Sequence, residues 1–291
     1  MAERYLTPKM IDALGRLSLV AKQVVEGTVA GAHASPFHGY SAEFDEHRKY
    51  TAGDALRDLD WSVYARTDRY YIRRYREETN LFARIIVDGS GSMDFRYQEE
   101  GPTKFYYACC LAASIAYLLL QQRDAVGLSL LRDGRAETIP PSSKPGQLRL
   151  LLELMERARA GGEIALDKTI RDTAAAVRRA GMMVVISDLL DDEAALLDAM
   201  KQLKIRKNEV LLFHVLDPAE EDLPYRYVSE FVDMENGATL MTDPAALRAD
   251  YRADVAAFRA RVRKFCGDHH IRYVALATDQ PLEKQLPLVL R

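Results

Sequence analysis

One carboxylate and two hydroxyls, those of Asp88, Ser90 and Ser92, alternate with glycines directly after the apolar run of residues 81–87. The apolar run predicts a buried strand, which would leave Asp88 at its carboxyl end, where open α/β sheets bind their ligands. An acid and two hydroxyls on so tight a loop can converge on one hard cation, and Mg²⁺ prefers such oxygen ligands. A plain strand-to-helix turn, in which Asp and Ser are common, would explain the same residues without a ligand.

A second acid stands in an equivalent position. Residues 183–188 read as another buried strand that ends in an acid, Asp188. Because the carboxyl ends of parallel strands meet at one edge of a doubly wound sheet, we expect Asp188 to lie beside Asp88. The acids that follow, Asp191 and Asp192, fit ordinary N-caps of the next helix. The candidate site is therefore built on the pair Asp88 and Asp188.

Other chemistries of strand ends fail on spacing. A phosphate-binding P-loop needs a Lys after its last glycine, and none follows directly after residues 88–92. The nucleophile elbow of hydrolases needs a glycine at position 88, which is Asp. No His falls near either strand end, because His214 lies within a predicted strand, and a general base is therefore missing. These observations favour binding over catalysis, and we assign no catalytic residue.

Strand and helix signals alternate along residues 81–291, and these elements must position the two acids. The apolar strands are continuous runs, which are typical of a mostly parallel sheet covered by helices on both faces. We predict a doubly wound α/β domain over residues 81–291 and an N-terminal extension, residues 1–80, packed on it. Strands are predicted over residues 81–87, 125–131, 136–139, 182–186, 210–215 and 271–277, and helices over residues 7–25, 104–122, 147–159, 168–179, 193–205 and 244–266.

Composition limits the class of protein. The chain of 291 residues carries 40 basic and 43 acidic side chains, a net charge of −3, which argues against a dedicated nucleic-acid binder. Its three cysteines cannot build a disulfide framework and indicate a reducing, cytoplasmic location. The N-terminus lacks the basic and apolar regions of an export signal, and the apolar run of residues 105–120 falls short of the ~20 residues of a membrane span. We expect no membrane span and no nucleic-acid partner.

Residues 43–66 combine many charges with aromatic side chains. One interpretation is a structural network, in which Arg side chains pair with Asp60 or its neighbours and Trp61, the only tryptophan, anchors the segment in the core. The other is a recognition surface, because Arg, Trp and Tyr are frequent at binding hot spots. We favour the structural interpretation for Asp54, Asp60 and Trp61.

Two parts of the sequence resemble known families. The spacing of Asp88, Ser90 and Ser92, together with Asp188, resembles the metal-ion-dependent adhesion site of von Willebrand factor A domains. The residues upstream are similar to the bacterial family called domain of unknown function 58. That second resemblance is carried by Gly39-Tyr40-Ser41-Ala42-Glu43-Phe44, Arg48-Lys49-Tyr50, Gly53-Asp54, Arg57, Asp60-Trp61, Ala65-Arg66 and Glu77-Glu78.

The resemblance implies a von Willebrand factor A-like fold and a non-enzymatic protein-interaction module of the family's short soluble branch. Members are commonly encoded beside MoxR-type AAA+ ATPases, so the implied partner is such an ATPase or its client, in protein assembly or maturation. The implied metal ligands are Asp88, Ser90, Ser92 and Asp188 around Mg²⁺, which would leave one coordination position for an Asp or Glu of the partner. No organic cofactor is implied.

The adhesion site normally adds a Thr from a later loop, and this chain departs from that pattern. In the corresponding stretch, residues 161–166, the Thr position is assigned to Ile164, and Ile cannot ligate a cation. Glu163 is the oxygen donor that a shifted loop would bring in. We therefore expect a degenerate site that binds Mg²⁺ weakly. Two alternatives stay open: a Mg²⁺-dependent hydrolase that uses Asp88 and Asp188, and a structural subunit without metal.

Overall fold

The computed structural model describes residues 5–7, 9, 11, 42–49, 59–77, 81–177 and 179–289. These residues divide into two compact units, one made of residues 42–77 and the other of residues 81–289 with the described residues up to 11. The helix predicted over residues 7–25 lies mostly outside the described residues, as do the motif residues 39–41, 50–58 and 78. The division into an extension and an α/β domain, residues 1–80 and 81–291, stays a prediction.

The smaller unit contains two antiparallel strands, β1 (Ala42–Lys49) and β2 (Tyr71–Glu77), and a short helix, α1 (Trp61–Thr67). Asp60 is buried, and its carboxylate accepts a hydrogen bond of 3.2 Å from the backbone N–H of Val63, which caps α1; its pairing with an Arg side chain stays a prediction. Trp61 leaves 59% of its surface exposed, so the interpretation of Trp61 as a core anchor is wrong. Its position at the start of α1 leaves the indole in solvent, edge-on to Tyr64.

The larger unit carries the predicted alternation of strands and helices. Its strands are β3 (Phe82–Asp88), β4 (Ala125–Arg132), β5 (Arg135–Ser142), β6 (Met182–Ser187), β7 (Glu209–Leu216), β8 (Ser229–Val232), β9 (Thr239–Thr242) and β10 (Arg272–Ala277). Its helices are α2 (Lys104–Gln121), α3 (Gln147–Arg157), α4 (Leu166–Ala176), α5 (Glu193–Ile205), α6 (Pro218–Asp222), α7 (Pro244–Asp268) and α8 (Leu282–Val289). The short strands β8 and β9 and the helices α6 and α8 are elements that the sequence patterns do not predict.

Six of these strands form one sheet in the order β10-β7-β6-β3-β4-β5. All neighbouring pairs are parallel except β4 with β5, which are antiparallel. The chain enters the sheet at β3, then builds outwards to β4 and β5 on one side and to β6, β7 and β10 on the other. In such sheets ligands bind where the strand order reverses, which here is beside β3. The predicted fold class, a doubly wound and mostly parallel α/β sheet, is confirmed.

Helices cover both faces of the sheet because successive residues of a strand point to opposite sides. Ile85 and Val87 of β3 belong to a core cluster that includes residues of α2 and α3, whereas Ile86 belongs to a second cluster that includes residues of α4 and α5. The central strands therefore bury apolar side chains on both faces. This explains why their sequences are continuous apolar runs rather than alternating ones.

Helix α2 is the apolar helix that the sequence predicts to be buried, and this prediction is confirmed. Its residues Phe105, Ile115 and Leu119 lie in the first core cluster, against β3 and β4. Among the described residues, α2 is the one helix long and apolar enough to cross a membrane by length and composition, and 78% of that stretch is buried inside the fold. Burial of this extent is what the central helix of a folded domain requires.

We expect Ile115→Asp to destabilise the domain severely. Ile115 is buried in the first core cluster, so the substitution removes apolar contacts and buries a charge without a partner, at a cost of roughly 3–5 kcal/mol or more. Urea denaturation measures the loss. The control is Gln121→Asp, on the same helix at an exposed position, which should change stability by less than about 1 kcal/mol. Unchanged stability of the Ile115 variant would contradict the burial of α2.

We expect Asp124→Asn to increase stability at alkaline pH. Asp124 is buried before β4, where its carboxylate accepts a hydrogen bond of 3.1 Å from the N–H of Leu81, and burial raises its pKa to about 7. The unfolded chain ionises this group near its ordinary value of 3.8, so the native protein loses stability as the pH rises from about 4 through 7. Asn keeps an acceptor oxygen and cannot ionise.

The stability difference between the Asp124 variant and the unmodified protein should therefore widen between pH 5 and pH 8, by about 1–3 kcal/mol. Urea denaturation at the two pH values measures it. The control is Asp172→Asn on an exposed position of α4, which should show no comparable change. A constant difference for Asp124→Asn would mean that this carboxyl ionises alike in the folded and unfolded chains.

Candidate functional site

The carboxyl ends of β3 and β6 lie side by side. The two strands pair in parallel with Val87 opposite Ile186, so that Asp88 and Asp188 emerge at the same edge of the sheet, where the sequence predicts them. Asp88 is 3% exposed and Asp188 is 1% exposed. The hydroxyl of Ser187 donates a hydrogen bond of 2.5 Å to Oδ2 of Asp88 and so joins the two strand ends.

The loop after β3 brings its two hydroxyls together. Oγ of Ser90 and Oγ of Ser92 lie 3.0 Å apart, and the backbone N–H of Ser90 donates a hydrogen bond of 2.9 Å to Oδ1 of Asp88. The predicted residues Asp88, Ser90 and Ser92 therefore form one local cluster on the edge that also carries Asp188. A carboxylate and two converging hydroxyls are hard oxygen donors of the kind that Mg²⁺ prefers.

A second loop closes against the first. The N–H of Gly161 donates to the carbonyl of Gly89, and the N–H of Gly91 donates to the carbonyl of Gly162, both at 2.9 Å. A side chain at position 89 would collide with the backbone of β4, so the close approach of the first loop to β4 requires a glycine there. The stretch that the sequence aligns with the Thr loop of adhesion sites thus borders the cluster.

Ile164, which the sequence places at the Thr position, is half-buried and packs against the second core cluster. Its side chain offers no oxygen, and Glu163 beside it is exposed. Within the described part of the chain, no group of three or more His, Cys, Asp or Glu side chains has the arrangement of a metal site. A cation at this edge would therefore depend on the carboxylate of Asp88, the serine hydroxyls and water, and Mg²⁺ binding stays a prediction.

The electrostatics of Asp88 bear on whether a cation fits. Burial raises the pKa of Asp88 to about 7, and the charge of Asp188 adds to the rise, while hydrogen bonds from Ser187 and Ser90 lower it. A neighbouring positive charge would instead favour the ionised carboxylate and lower its pKa. A bound cation would thus offset the unfavourable burial of the ionised Asp88 carboxylate. The oxygen donors of Asp88, Ser90 and Ser92 fit a hard metal ion.

Lys104 is a member of the site that the sequence analysis missed. It is the first residue of α2 and is 0% exposed. Its Nζ donates a hydrogen bond of 2.7 Å to Oδ2 of Asp188 and a second, short one to Glu220. Burial lowers the pKa of Lys104, but the charges of Asp188 and Glu220 outweigh burial and raise it, so the ammonium stays protonated. Its signal in the sequence is a lone charge at the start of an otherwise apolar helix.

Glu220 reaches the site from α6, which the sequence analysis also missed. Asp217 caps this short helix by accepting from the N–H of Ala219, 2.9 Å, while Oε2 of Glu220 accepts from the N–H of Asp217, 2.9 Å. This reciprocal cap holds the Glu220 side chain next to Lys104. Burial raises the pKa of Glu220, and the charge of Lys104 opposes it. One ammonium therefore serves two carboxylates.

His214 lies closer to the site than the sequence indicates. It sits on β7 opposite Ser187 of β6, and the charge and backbone of Asp188 act on its imidazole. The expectation that no His lies near either strand end is therefore wrong, because the parallel pairing of β6 with β7 brings it there. Burial lowers the pKa of His214 to about 4, and its Nδ1 lies 2.8 Å from the hydroxyl of Tyr273. The imidazole is neutral at physiological pH and closed to solvent.

The hairpin of β8 and β9 borders the site on its open side. A cleft of about 520 Å³ lies between the hairpin, the loop after β3 and the residues that follow β6. A side chain at Gly91 would collide with the carbonyl of Met234, so the tip of the hairpin rests directly on the site's loop. The cleft is lined by Ser92, Phe95, Leu190, Glu220, Phe231, Val232, Asp233, Met234, Glu235, Ala238, Thr239 and Leu240.

Comparison with known sequences identifies relatives along most of the chain. The family described as "Protein of unknown function DUF58" matches residues 46–261. Uncharacterized proteins of Mycobacterium bovis and Mycobacterium tuberculosis are each 31% identical over 289 residues, which covers 94% of this chain and 86% of theirs.

Comparison with solved structures gives more distant similarities. The conserved hypothetical protein BatB from Bacteroides thetaiotaomicron is 18% identical with a TM-score of 0.47, covering 72% of this chain and 97% of its own. An aerotolerance-related membrane protein from Bacteroides fragilis is 17% identical with a TM-score of 0.48, covering 72% and 98%. The SpRpn10 VWA domain is 13% identical with a TM-score of 0.39, covering 72% and 94%.

We expect Lys104→Met to destabilise the protein by roughly 3–5 kcal/mol, because it leaves the buried carboxylate of Asp188 and the half-buried carboxylate of Glu220 without their ammonium. Adding Asp188→Asn should recover part of the loss, since the double variant buries one charge fewer. Urea denaturation of both single variants and the double variant measures the coupling between the two residues. The control is Lys144→Met at an exposed position. Strictly additive losses would contradict the ion pair.

Proposed function

The chain belongs to the family described as Protein of unknown function DUF58, and from this premise we propose that it is a protein-interaction module that captures its partner through a divalent cation at the carboxyl edge of its sheet. The family has a von Willebrand factor A-like α/β fold, and nothing in the comparisons indicates an enzymatic activity. Of the four residues that the sequence assigns as metal ligands, Asp88, Ser90 and Ser92 are proposed to contact the ion, while Asp188, which binds Lys104, is proposed to act through its charge.

One observation carries the proposal. The acid and the two hydroxyls of the loop after β3 converge at a strand-order reversal, next to a cleft that is open to solvent. Four carboxyl groups, those of Asp88, Asp188, Glu220 and Glu235, surround this edge, whereas the one ammonium of Lys104 binds only Asp188 and Glu220, so ionisation of Asp88 gives the site an excess of negative charge. A divalent cation would neutralise that excess.

Each residue of the site has a part in such a complex. Asp88 would hold the ion through its carboxylate, and Ser90 and Ser92 through their hydroxyls, while Asp188 would contribute its charge. When bound, Mg²⁺ would supply a coordination position for a carboxylate oxygen of the partner. Lys104 keeps Asp188 and Glu220 in place, and the cleft supplies the surface against which the partner packs.

The family resemblance supports the choice of partner. We assign that role to a MoxR-type AAA+ ATPase or to its client, in protein assembly or maturation in the cytoplasm. An acidic side chain of the partner is the group that a metal held by oxygen ligands would receive.

A structural role without metal is the second candidate, and Lys104 is the observation that favours it. Its ammonium already supplies one positive charge to the carboxylates of the edge. The structure gives less support to the hydrolase alternative, although His214 lies beside Asp188. The imidazole is 1% exposed and engages the hydroxyl of Tyr273, so it presents no base to a substrate in the cleft.

We expect the unmodified protein to bind Mg²⁺ weakly and Ile164→Thr to bind it several-fold more tightly. The substitution introduces a hydroxyl on the loop that borders the cluster, and a several-fold change in affinity corresponds to about 1 kcal/mol. Isothermal titration calorimetry measures the affinities. Asp88→Asn, which keeps the shape of the side chain but not its charge, is the control and should abolish binding. Absence of Mg²⁺ heat in the unmodified protein and in Ile164→Thr would favour the structural role.

We expect Ser90→Ala combined with Ser92→Ala to weaken partner capture at least five-fold while it costs less than about 2 kcal/mol of stability. The two hydroxyls bond each other, and the backbone N–H of Ser90 keeps its bond to Asp88. Capture is measured by quantitative pull-down from the native cell with and without nucleotide, with Ser142→Ala as the control. Lost stability with unchanged capture would assign the serines to a structural role.

A further inference from the structure

The hairpin of β8 and β9 is a preformed arm beside the site. Within the described residues its two strands pair with each other and not with the central sheet. The tip is closed by the N–H of Asp233, which donates to the carbonyl of Ala238, 2.8 Å, and by Oδ1 of Asp233, which accepts from the N–H of Glu235, 2.8 Å. These bonds fix the backbone of the tip and with it the position from which the Glu235 side chain extends.

The tip contacts the very loop that carries the serines. The absence of a side chain at Gly91 lets the backbone of Met234 and Glu235 approach the loop closely. Glu235 is half-buried and lines the same cleft as Ser92, and its carboxyl lies close enough to Ser92 to be stabilised by the hydroxyl and the backbone of that residue. An acidic side chain of the chain itself thus lies at a serine of the site.

The surface around this contact indicates which kind of partner segment could replace Glu235. Phe95, Phe231 and Leu190 line the cleft next to Ser92, and the hairpin exposes the apolar side chains of Val232 and Leu240. A short partner segment with one Asp or Glu between apolar residues matches this surface, because its carboxylate would reach Ser92 while its apolar residues cover the cleft. Glu235, preceded by the apolar Met234 and followed by Asn236, has the same chemistry on its N-terminal side.

We propose that Glu235 is an internal ligand of the strand-end site, which occupies the place of the partner's carboxylate until an acidic, apolar-flanked segment of the partner displaces it. The proposal rests on the proposed function of that site. Binding then requires the hairpin tip to leave the loop after β3, and the affinity for the partner is reduced by the strength of the contact between Glu235 and Ser92. The strength of the contact between Glu235 and Ser92 therefore determines how tightly a partner must bind to displace the hairpin tip.

The test uses the full chain and a fluorescein-labelled peptide, Leu-Leu-Glu-Leu-Leu, in buffer with Mg²⁺. Glu235→Ala removes the internal ligand. Glu230→Ala, on the same hairpin at an exposed position, removes the same charge and is the matched control. Fluorescence anisotropy measures peptide affinity, and hydrogen exchange with mass spectrometry follows the amides of residues 229–242. A peptide with Gln in place of Glu reports whether the carboxylate is what the site recognises.

The expected result is peptide binding at least five-fold tighter by Glu235→Ala than by the unmodified protein, together with faster exchange across residues 229–242. Glu230→Ala should match the unmodified protein in both measurements, and the Gln peptide should bind none of the proteins well. Equal, Mg²⁺-dependent binding of the Glu peptide by the unmodified protein and by Glu235→Ala would overturn the internal ligand and leave the proposed function standing. No binding by any protein, even with faster exchange in Glu235→Ala, would overturn both.

Discussion

The arrangement of this edge depends on the two ion pairs that the buried ammonium of Lys104 forms. It joins the start of α2, the residue that follows β6 and the short helix α6, because one Nζ binds both Asp188 and Glu220. Two carboxylates buried so close together would repel each other without it. The cost of burying all three charges is offset only while every member is paired, so the ion pair fixes the geometry of the edge rather than adding much stability to it.

Asp88 takes no part in these ion pairs, so the polar side chains of the edge form two separate groups. Lys104 serves the carboxylates of Asp188 and Glu220, whereas Asp88 shares its oxygens with the hydroxyl of Ser187 and the N–H of Ser90. Its raised pKa reflects burial beside another acid. The ammonium and a divalent cation would therefore not compete for the same carboxylate: the first holds the protein together, and the second would join it to a partner.

The sheet and its edge could be predicted because continuous apolar runs specify buried parallel strands, and parallel strands bring their carboxyl ends together. Asp88 and Asp188 followed from that rule alone. Lys104 did not, because a helix that is apolar along its length gives no reason to expect its one charged residue to be buried. Glu220 escaped prediction because α6 has five residues and no apolar period. His214 was misjudged because its distance along the chain conceals the pairing of β6 with β7.

The hairpin that carries Glu235 was invisible to the sequence patterns for a related reason. Its strands have four residues each, and many of their side chains are exposed, so they show neither a buried run nor a long alternation. Trp61 was mispredicted in the opposite sense. It was expected to anchor the segment in the core, but its position at the start of α1 leaves it in solvent. Short exposed elements are placed by the tertiary contacts of their ends, which a local pattern does not contain.

The most direct measurement of the central claim is a crystal structure of the full chain grown with Mn²⁺, in which anomalous scattering locates the ion. Mn²⁺ favours the same oxygen ligands as Mg²⁺. The account predicts an anomalous peak in contact with the carboxylate of Asp88 and the hydroxyls of Ser90 and Ser92, with Lys104 still bound to Asp188. A structure without a peak at this edge, or with Mn²⁺ in the place of the Lys104 ammonium, would contradict it.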